Sequence, residues 1–298
     1  MRAITLQAPA KLNLHLGIHT QLDERQYHKA DSLMVALRLY DEVVVREMSK
    51  APADSTAGLP LVDCVPPIDV PPQKNTVYRA AHALANLVGR VPNVRITVYK
   101  HIPDQAGMGG SSSDAATVLR ALCELWDISV QDDRVAEAAR SVGADVPFFL
   151  DPVPTLLVGA GDVVQEKFSP FGRPIPVALW CPKGPGVSTP AAYAAFDKCP
   201  EMPSSPEALC SLLRKGDVEP RQIAQCLANN LEPVACRLLP QVEEVRSWLV
   251  AQEGAMGVQV TGSGSCVFAV CDASDDAQRI VRKARESLDV WACATHMA

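Results

Sequence analysis

The sequence predicts a protein of two domains that contain both β-strands and α-helices. The chain has 298 residues, which is about twice the usual length of a single domain. Some segments place an apolar residue at every second position, as a half-buried strand does. Others place apolar residues three and four positions apart, as a helix does. Both patterns occur in the first half of the chain and again in the second half.

The composition is that of a globular protein and excludes several classes of function. The formal net charge is −6 and no run of like charges occurs, so an extended nucleic-acid-binding surface is not expected. No apolar stretch reaches the roughly 18 residues that span a bilayer, and the N-terminus lacks the apolar core of a secretion signal. The ten cysteines form no CxxC pair, so we expect reduced thiols in a cytoplasmic protein rather than a zinc or redox site.

The first predicted element is a strand near the N-terminus. Residues 4–18 alternate between apolar and polar side chains, which predicts a strand with one buried face. Lys11 and Asn13 then lie on the same side, away from the apolar face. From this segment alone, an edge strand whose polar side faces solvent fits as well as a strand with a functional polar side. A second strand is predicted over 43–47.

The segments that follow alternate between helix and strand signals. Six prolines between 49 and 76 exclude a central strand or a helix there, so we expect a long surface excursion. Residues 75–88 have helical spacing and Gly89 is placed to end the helix, whereas 93–99 alternate as a strand. We also predict helices over 132–142, 206–214, 219–230 and 240–252, and strands over 257–260 and 266–270 around a Gly/Ser-rich tip.

The most informative segment is IPDQAGMGGSSSD at 102–114, because it lies between a predicted strand and a predicted helix. Its glycines let the backbone turn and approach a ligand closely, and its serines can cap the helix. The N–H groups and the positive dipole end of that helix form an anion site. The segment contains neither a P-loop pattern nor a dinucleotide-binding pattern. It therefore predicts a different kind of polyphosphate loop.

A carboxylate stands in the apolar segment GADVPFFL at 143–150. We expect Asp145 to lie at the mouth of a buried strand. A lone carboxylate beside such a run is costly to bury without a partner. Asp145 is therefore either a residue that ends a helix or turn, or a group held in a cleft where it orients or deprotonates a hydroxyl.

Six segments of the chain form a recognisable set. They are PAKLNLHL at 9–16, YH at 27–28, IPDQAGMGGSSSDAA at 102–116, GADVPFF at 143–149, GVSTPAAY at 186–193 and TGSGSCVF at 261–268. In this order they resemble the GHMP small-molecule kinases, over nearly the whole chain. The resemblance implies an α+β, two-domain GHMP kinase fold with the active site in the inter-domain cleft. It implies an ATP-binding domain over 1–160 and a C-terminal domain over 161–298.

The resemblance also implies the chemistry and the residues that perform it. It implies ATP-dependent phosphorylation of a hydroxyl of a cytidyl-diphosphate polyol, with Mg²⁺ and without a nucleic-acid, membrane or obligate protein partner. Lys11 and Asp145 match the catalytic pair, and Ser113 is a candidate metal contact. The matches to the ATP site are Pro103, Asp104, Gln105, Ala106, Gly107, Met108, Gly109, Gly110, Ser111, Ser112, Ser113, Asn75 and Lys100. The substrate-binding candidates are Asn13, Tyr27, His28 and Tyr193.

Three residues depart from the family pattern. Gln26 stands before Tyr27 where the family usually has glycine, and Met108 replaces a leucine, which is a tolerated exchange. Ser111 occupies the place of a third loop glycine. If position 111 requires a positive φ, serine is strained there by ~1 kcal/mol.

Two alternatives remain open on the sequence. One is a family member that phosphorylates another alcohol, of the homoserine or mevalonate type. The other is a ligand-binding member without catalytic activity. Tyr27 and His28 together with GADVPFF favour the cytidyl substrate over the first alternative. The presence of both Lys11 and Asp145 disfavours the second, because a protein that only binds needs no carboxylate that handles protons.

Overall fold

The structure is a computed structural model that describes residues 2–48, 60–184 and 186–298. Strands and helices are mixed, as the sequence predicts. The strands are β1 (Ala3–Leu22), β2 (His28–Glu47), β3 (Leu61–Val65), β4 (Val94–Tyr99), β5 (Thr155–Val158), β6 (Val163–Lys167), β7 (Ile175–Pro182), β8 (Ala228–Asn229), β9 (Ala255–Val260), β10 (Val267–Cys271) and β11 (Val290–Met297). The α-helices are α1 (Thr76–Val88), α2 (Gly110–Trp126), α3 (Asp133–Val142), α4 (Thr189–Phe196), α5 (Glu207–Lys215), α6 (Pro220–Gln225), α7 (Glu232–Leu238), α8 (Pro240–Val250) and α9 (Ser274–Ser287).

The chain forms two compact units that do not follow chain order. The first unit lies within Met1–Ala10, Tyr40–Ile102 and Gly109–Asp151. The second comprises Lys11–Leu39, Pro103–Met108 and Pro152–Ala298. The long strands β1 and β2 therefore contribute residues to both units. A division of the chain at residue 160 stays a prediction.

The first unit combines a small sheet with a group of three helices. Its strands are ordered β3-β4-β2, with β4 parallel to β3 and antiparallel to β2. Helices α1, α2 and α3 pack on one another. The side chain of Asn75 caps the start of α1. Gly89, with φ 67°, ends the helix, as predicted. Strand β3 lies in the proline-rich segment and at the edge of this sheet, which agrees with the prediction that the segment forms no central strand. Residues 49–59 of the segment lie outside the described part.

The second unit contains an antiparallel sheet ordered β11-β7-β10-β9. Helices α8 and α9 pack on this sheet, and the core between them includes Trp180, Leu249 and Ile280. The prediction of a helix over 219–230 is wrong beyond Gln225, where α6 ends. None of the helices among the described residues has both the length and the apolar content that crossing a membrane requires.

The polar side of β1 is buried, so the solvated edge strand considered from the sequence is wrong. Lys11 is 3% exposed, and Asn13 and His15 are buried as well. Burial lowers the pKa of His15, which favours the neutral ring. Both sides of this part of the strand are covered by other elements, and the polar side chains need internal partners.

Candidate active site

Lys11 belongs to a buried polar cluster in the second unit, which we call the Lys11 cluster: Lys11, Asn13, Ser32 and Thr261. Lys11 Nζ donates to Asn13 Oδ1. Asn13 Nδ2 donates to Ser32 Oγ at 2.8 Å, and the backbone N–H of Asn13 donates to Thr261 Oγ1 at 3.1 Å. These bonds fix the ammonium group in one position on β1. Sequence reasoning found Lys11 and Asn13 but missed Ser32, which no motif marks, and the role of Thr261.

The first half of the Gly/Ser loop, 103–108, packs against the turn at 261–265 within the second unit. The N–H of Cys266 donates to Ala106 O at 3.1 Å, and the N–H of Lys11 donates to Met108 O at 3.0 Å. Gly107 has φ 75°, and a Cβ there would lie 2.2 Å from Thr261 O. Only glycine fits this close approach. The tip between β9 and β10 is therefore a contact surface for the phosphate-loop candidate.

The second half of the loop forms the start of α2 in the first unit. Gly109 is the N-cap, with φ 69°, and no side chain caps the helix. The predicted capping by serine is wrong, because Ser111, Ser112 and Ser113 lie inside the first turn. Ser111 has the helical backbone of α2, so the strain considered for it does not arise. The first N–H groups of a helix have no partner within it, and this glycine-led start leaves them accessible to an anion.

Ser113 is fully buried in the first turn of α2. Its Oγ, like Oγ1 of Thr117, has no hydrogen-bond partner among the described residues. A buried hydroxyl without a protein partner at a helix start is suited to a ligand, because burial without any partner is costly. The described residues contain no cluster of three or more His, Cys, Asp or Glu side chains that could hold a metal ion.

Lys100 joins two carboxylates next to the start of α2. Its Nζ lies 2.5 Å from Asp41 Oδ2 and 2.8 Å from Asp114 Oδ2. Asp41 Oδ1 also accepts the N–H of Ile102 at 2.8 Å. A Cβ on Gly110 would lie 3.3 Å from Lys100 Nζ. This triad of Lys100, Asp41 and Asp114 fixes the chain on both sides of the loop. Asp114 ends the Gly/Ser segment that the sequence singles out, whereas no sequence signal marks Asp41.

The charges of this triad do not balance, because two carboxylates share one ammonium group. Burial raises the pKa of Asp114 to about 7, with Asp41 adding to the effect and Lys100 opposing it. Burial alone would lower the pKa of Lys100, but the two carboxylates outweigh it and raise that pKa. The ammonium group is thus engaged by the protein, and a contact between Lys100 and adenine stays a prediction.

Asn75 lines a cavity of about 270 Å³ in the first unit. Its Oδ1 accepts the N–H of Val77 at 2.9 Å and thereby begins α1. Polar and apolar atoms contribute about equally to its walls, and the amide of Asn75 is one of the polar groups. Its lining residues are Val62, Asp63, Cys64, Pro67, Ile68, Val70, Pro72 and Asn75.

Asp145 lies in a turn rather than at the mouth of a strand. The N–H of Val146 donates to Gly143 O at 3.2 Å, and a short 3-10 helix, Phe148–Leu150, follows. The prediction of a strand here is wrong, because periodicity cannot distinguish a strand from a helical turn in such a short apolar run. Asp145 is half-buried in the first unit, whereas Lys11 belongs to the second.

His28 and Tyr193, two of the substrate-binding candidates, lie side by side in the second unit. Their ring centroids are 5.5 Å apart, and Phe196 lies against the same histidine. His28 Nδ1 is 2.7 Å from His19 O, and His28 Nε2 is 3.0 Å from Asp197 Oδ1. Sequence reasoning missed Asp197, which follows the matched segment.

Tyr27 is 61% exposed, and the turn before it holds the unusual Gln26. Gln26 has φ 65°, the left-handed conformation that glycine adopts most easily. The carboxylate of Asp23 secures this turn by accepting the N–H groups of Tyr27 and Arg25, each at 2.9 Å. These hydrogen bonds, the one from Tyr27 foremost, lower the pKa of Asp23. Glycine adopts this positive φ easily, which explains why the family usually has glycine at this position. Gln26 adopts the same φ with backbone strain.

Comparison with known proteins gives the class to which this fold and these residues belong. The family model for the GHMP kinases N terminal domain matches residues 75–151, and the model for GHMP kinases C terminal matches residues 209–290. The chain belongs to the GHMP kinase family.

Similar proteins within this family share one name. The 4-diphosphocytidyl-2-C-methyl-D-erythritol kinase of Nocardia farcinica is 35% identical over 285 residues, which cover 92% of this chain and 87% of that protein. The enzyme of the same name from Pelotomaculum thermopropionicum is 34% identical over 288 residues, which cover 95% of this chain and 94% of that protein. A crystal structure of 4-(cytidine 5'-diphospho)-2C-methyl-D-erythritol kinase matches with a TM-score of 0.78 and 33% identity, covering 99% of this chain and 100% of that one.

Proposed function

We propose that this protein is an ATP-dependent kinase that phosphorylates the C2 hydroxyl of 4-diphosphocytidyl-2-C-methyl-D-erythritol in non-mevalonate isoprenoid synthesis. The observation that carries this function is the identity of about one third, over almost the entire chain, with kinases named for that substrate. The fold is shared by the whole family, so fold alone would not select this substrate. A cytoplasmic location stays a prediction from the sequence.

Three features of the chain serve ATP binding. The start of α2, with Gly109 and Gly110, offers free N–H groups and a positive dipole end to the phosphates. The cavity beside Asn75 receives the adenine. The segment 103–108 forms the remaining part of the loop over the phosphates.

Mg²⁺ fits this site as a companion of the phosphates. It prefers oxygen ligands and retains water molecules, and the unpartnered Oγ of Ser113 is the protein oxygen that would hold it. When bound, Mg²⁺ neutralises part of the charge on the β- and γ-phosphates.

Lys11 and Asp145 perform the transfer step. Phosphoryl transfer depends mainly on positioning and charge stabilisation. Asp145 accepts the proton of the attacking hydroxyl or orients that hydroxyl towards the γ-phosphate. Lys11, fixed by Asn13, binds the hydroxyl and stabilises the negative charge that develops on the transferring group. A half-buried carboxylate in a turn and a fixed ammonium on a strand suit these two tasks.

The cytidyl group binds at the aromatic residues of the second unit. Tyr27 and Tyr193 supply faces on which cytosine stacks, which contributes on the order of 1–3 kcal/mol by analogy with other base–aromatic contacts. His28 supplies polar contacts to the edge of the base, and Asn13 contacts the polyol beside Lys11.

The test is to offer the purified protein ATP with the cytidyl-diphosphate polyol, homoserine or mevalonate separately and to measure ADP release. We expect turnover of the first substrate alone. Asp145→Asn and Lys11→Ala should each lower kcat by at least 100-fold while the Kd for ATP changes little. The matched controls Asp133→Asn and Lys215→Ala alter exposed groups of the same types and should leave kcat unchanged. Phosphorylation of homoserine or mevalonate instead would refute the proposal, and normal turnover by Asp145→Asn would remove that residue from the mechanism.

A further inference from the structure

The side chain of Asn229 joins the short strand β8 to the turn between β9 and β10. Its Nδ2 donates to Val260 O at 2.8 Å and to Gly262 O at 2.9 Å. Its Oδ1 accepts the N–H of Leu231 at 2.9 Å. The amide therefore uses both of its N–H donors and its oxygen within the protein. The two carbonyl groups that it holds stand directly before and directly after Thr261.

Thr261, the residue between these two carbonyls, contacts the Lys11 cluster with its side chain. It is fully buried. Its Oγ1 accepts the backbone N–H of Asn13 at 3.1 Å and donates to Asn13 Oδ1 at 3.3 Å. Asn13 Oδ1 is also the atom that accepts from Lys11 Nζ. The position of the ammonium group therefore depends, through Asn13, on where Thr261 is held.

The backbone of the same threonine contacts the Gly/Ser loop. A Cβ on Gly107 would lie 2.2 Å from Thr261 O, and a Cβ on Gly262 would lie 3.2 Å from Gly107 O. Such close packing transmits a displacement, because neither segment of backbone has space to yield. We therefore expect a shift of the turn at Thr261 to displace both the ammonium group of Lys11 and residues 103–108.

Asn229 is itself anchored to the strand that carries Lys11. β8 pairs with β1 in parallel, and Asn229 stands opposite Leu16 in this pairing. Asn229 thus links the turn to β1 at residue 16, whereas Thr261 links the turn to β1 at residue 13. With two attachments, the turn is fixed relative to β1 in both position and orientation.

We propose that Asn229 is a positioning residue for the transfer step, because it holds the carbonyls on both sides of Thr261 and thereby keeps Lys11 and the Gly/Ser loop in their working arrangement. The inference rests on the proposed function, in which Lys11 binds the attacking hydroxyl. In this role Asn229 touches no reacting atom and transfers no proton. Its amide suits the task because a single side chain supplies two donors and an acceptor.

The experiment compares kcat and the KM for ATP in the unchanged protein, Asn229→Ala, Asn229→Asp and the matched control Asn230→Ala. The amide of Asn230 also makes three hydrogen bonds: Nδ2 donates to Ile18 O and Glu201 O, and Oδ1 accepts the N–H of Ile18. None of these three bonds reaches the turn at Thr261. The two alanine variants therefore lose the same number of hydrogen bonds at different places.

We expect kcat to fall at least about tenfold and the KM for ATP to rise in both Asn229 variants, because small displacements of positioning groups are costly to the rate. Asn229→Asp keeps the oxygen that accepts from Leu231 and loses both donors, so its effect isolates the hold on the turn. Asn230→Ala should leave kcat and the KM for ATP unchanged, although its loss of stability in urea unfolding should be similar to that of Asn229→Ala.

A double-mutant cycle tests the route through Thr261. Thr261→Val removes the hydroxyl with little change of shape and should lower kcat by itself. If Asn229 acts on Lys11 through that hydroxyl, the double variant has nearly the kcat of the slower single variant, because the two changes break one chain of contacts. Independent effects, in which the two fold-losses of kcat multiply, would overturn the assignment.

Normal kcat in both Asn229 variants, with turnover by the unchanged protein, would overturn the assignment of Asn229 alone. Equal losses of kcat in Asn229→Ala and Asn230→Ala would do the same, since they would show that Asn229 acts only on the stability of the second unit. Absence of turnover of the cytidyl-diphosphate polyol by the unchanged protein would refute the proposed function and this inference with it.

Discussion

Replacing Asp114 by asparagine should make the stability of the protein less dependent on pH. In the triad, Asp114 and Asp41 lie within 2.8 Å of one ammonium group. One of the two negative charges is therefore uncompensated when both carboxylates are ionised. Asparagine keeps the shape of the aspartate and removes its charge, so Lys100 and Asp41 remain as a balanced pair. The variant isolates the cost of holding the second charge in the interior.

The direction and size of the effect follow from the pKa of Asp114. Burial raises this pKa to about 7 in the folded protein, whereas an unperturbed aspartate titrates near a pKa of about 3.9. A group whose pKa is raised on folding stabilises the folded state at low pH, and that contribution disappears as the pH rises through about 7. Each unit of difference corresponds to about 1.4 kcal/mol. Between pH 5 and pH 7 the unchanged protein should lose on the order of 2–3 kcal/mol from this group.

Urea unfolding at pH 5, 6, 7 and 8 measures this contribution directly. The difference in free energy of unfolding between Asp114→Asn and the unchanged protein should move in favour of the variant as the pH rises from 5 to 8. Other groups, such as His15, titrate in both proteins and cancel in the difference. Parallel curves, with a constant difference at all four pH values, would refute the charge imbalance assigned to the triad.

Three further outcomes are expected. Gln26→Gly should raise the free energy of unfolding by up to about 1 kcal/mol, because it relieves the positive φ, without raising the KM for the cytidyl substrate; a loss of stability in urea unfolding would contradict this. Gly107→Ala should raise the KM for ATP at least about tenfold, because its Cβ would lie 2.2 Å from Thr261 O and force the loop to move. Gly89→Ala is the matched control, with a positive φ but open space around its Cβ, and an equal KM effect there would rule out the loop contact. Tyr27→Ala should raise the KM for the cytidyl substrate more than that for ATP, and equal effects in steady-state assays would place the base elsewhere.

Elements with local signals were predictable from the sequence. The bounds of α1 and α3 are close to the predicted ones because caps and apolar spacing act over a few residues. Helix α9 was missed although Ala277, Ile280, Val281 and Ala284 follow helical spacing. Most of its other residues are charged or polar. The helical spacing of these four apolar residues was the signal that could have predicted α9. β11, which completes the sheet, was missed with it.

The sequence identified the residue types of the candidate site but not their environments. The pattern around Lys11 identified a polar side of β1, yet it could not show whether that side faces solvent. The answer depends on Ser32 and on Thr261, which lies 248 positions after Asn13 in the chain, and such distant partners leave no local pattern. The same holds for the two aspartates of the triad, which only the fold brings to Lys100.

One hydrogen bond joins β1, which carries Lys11, to the loop at 103–108. The backbone N–H of Lys11 donates to the carbonyl oxygen of Met108, so the residue proposed to stabilise charge and the loop proposed to lie over the phosphates are directly joined. We expect a shift of the loop to displace the backbone of Lys11 as well. Replacing residues 103–108 by those of a relative should therefore change turnover as well as nucleotide affinity. We expect such a replacement to preserve activity only when β1 comes from the same relative.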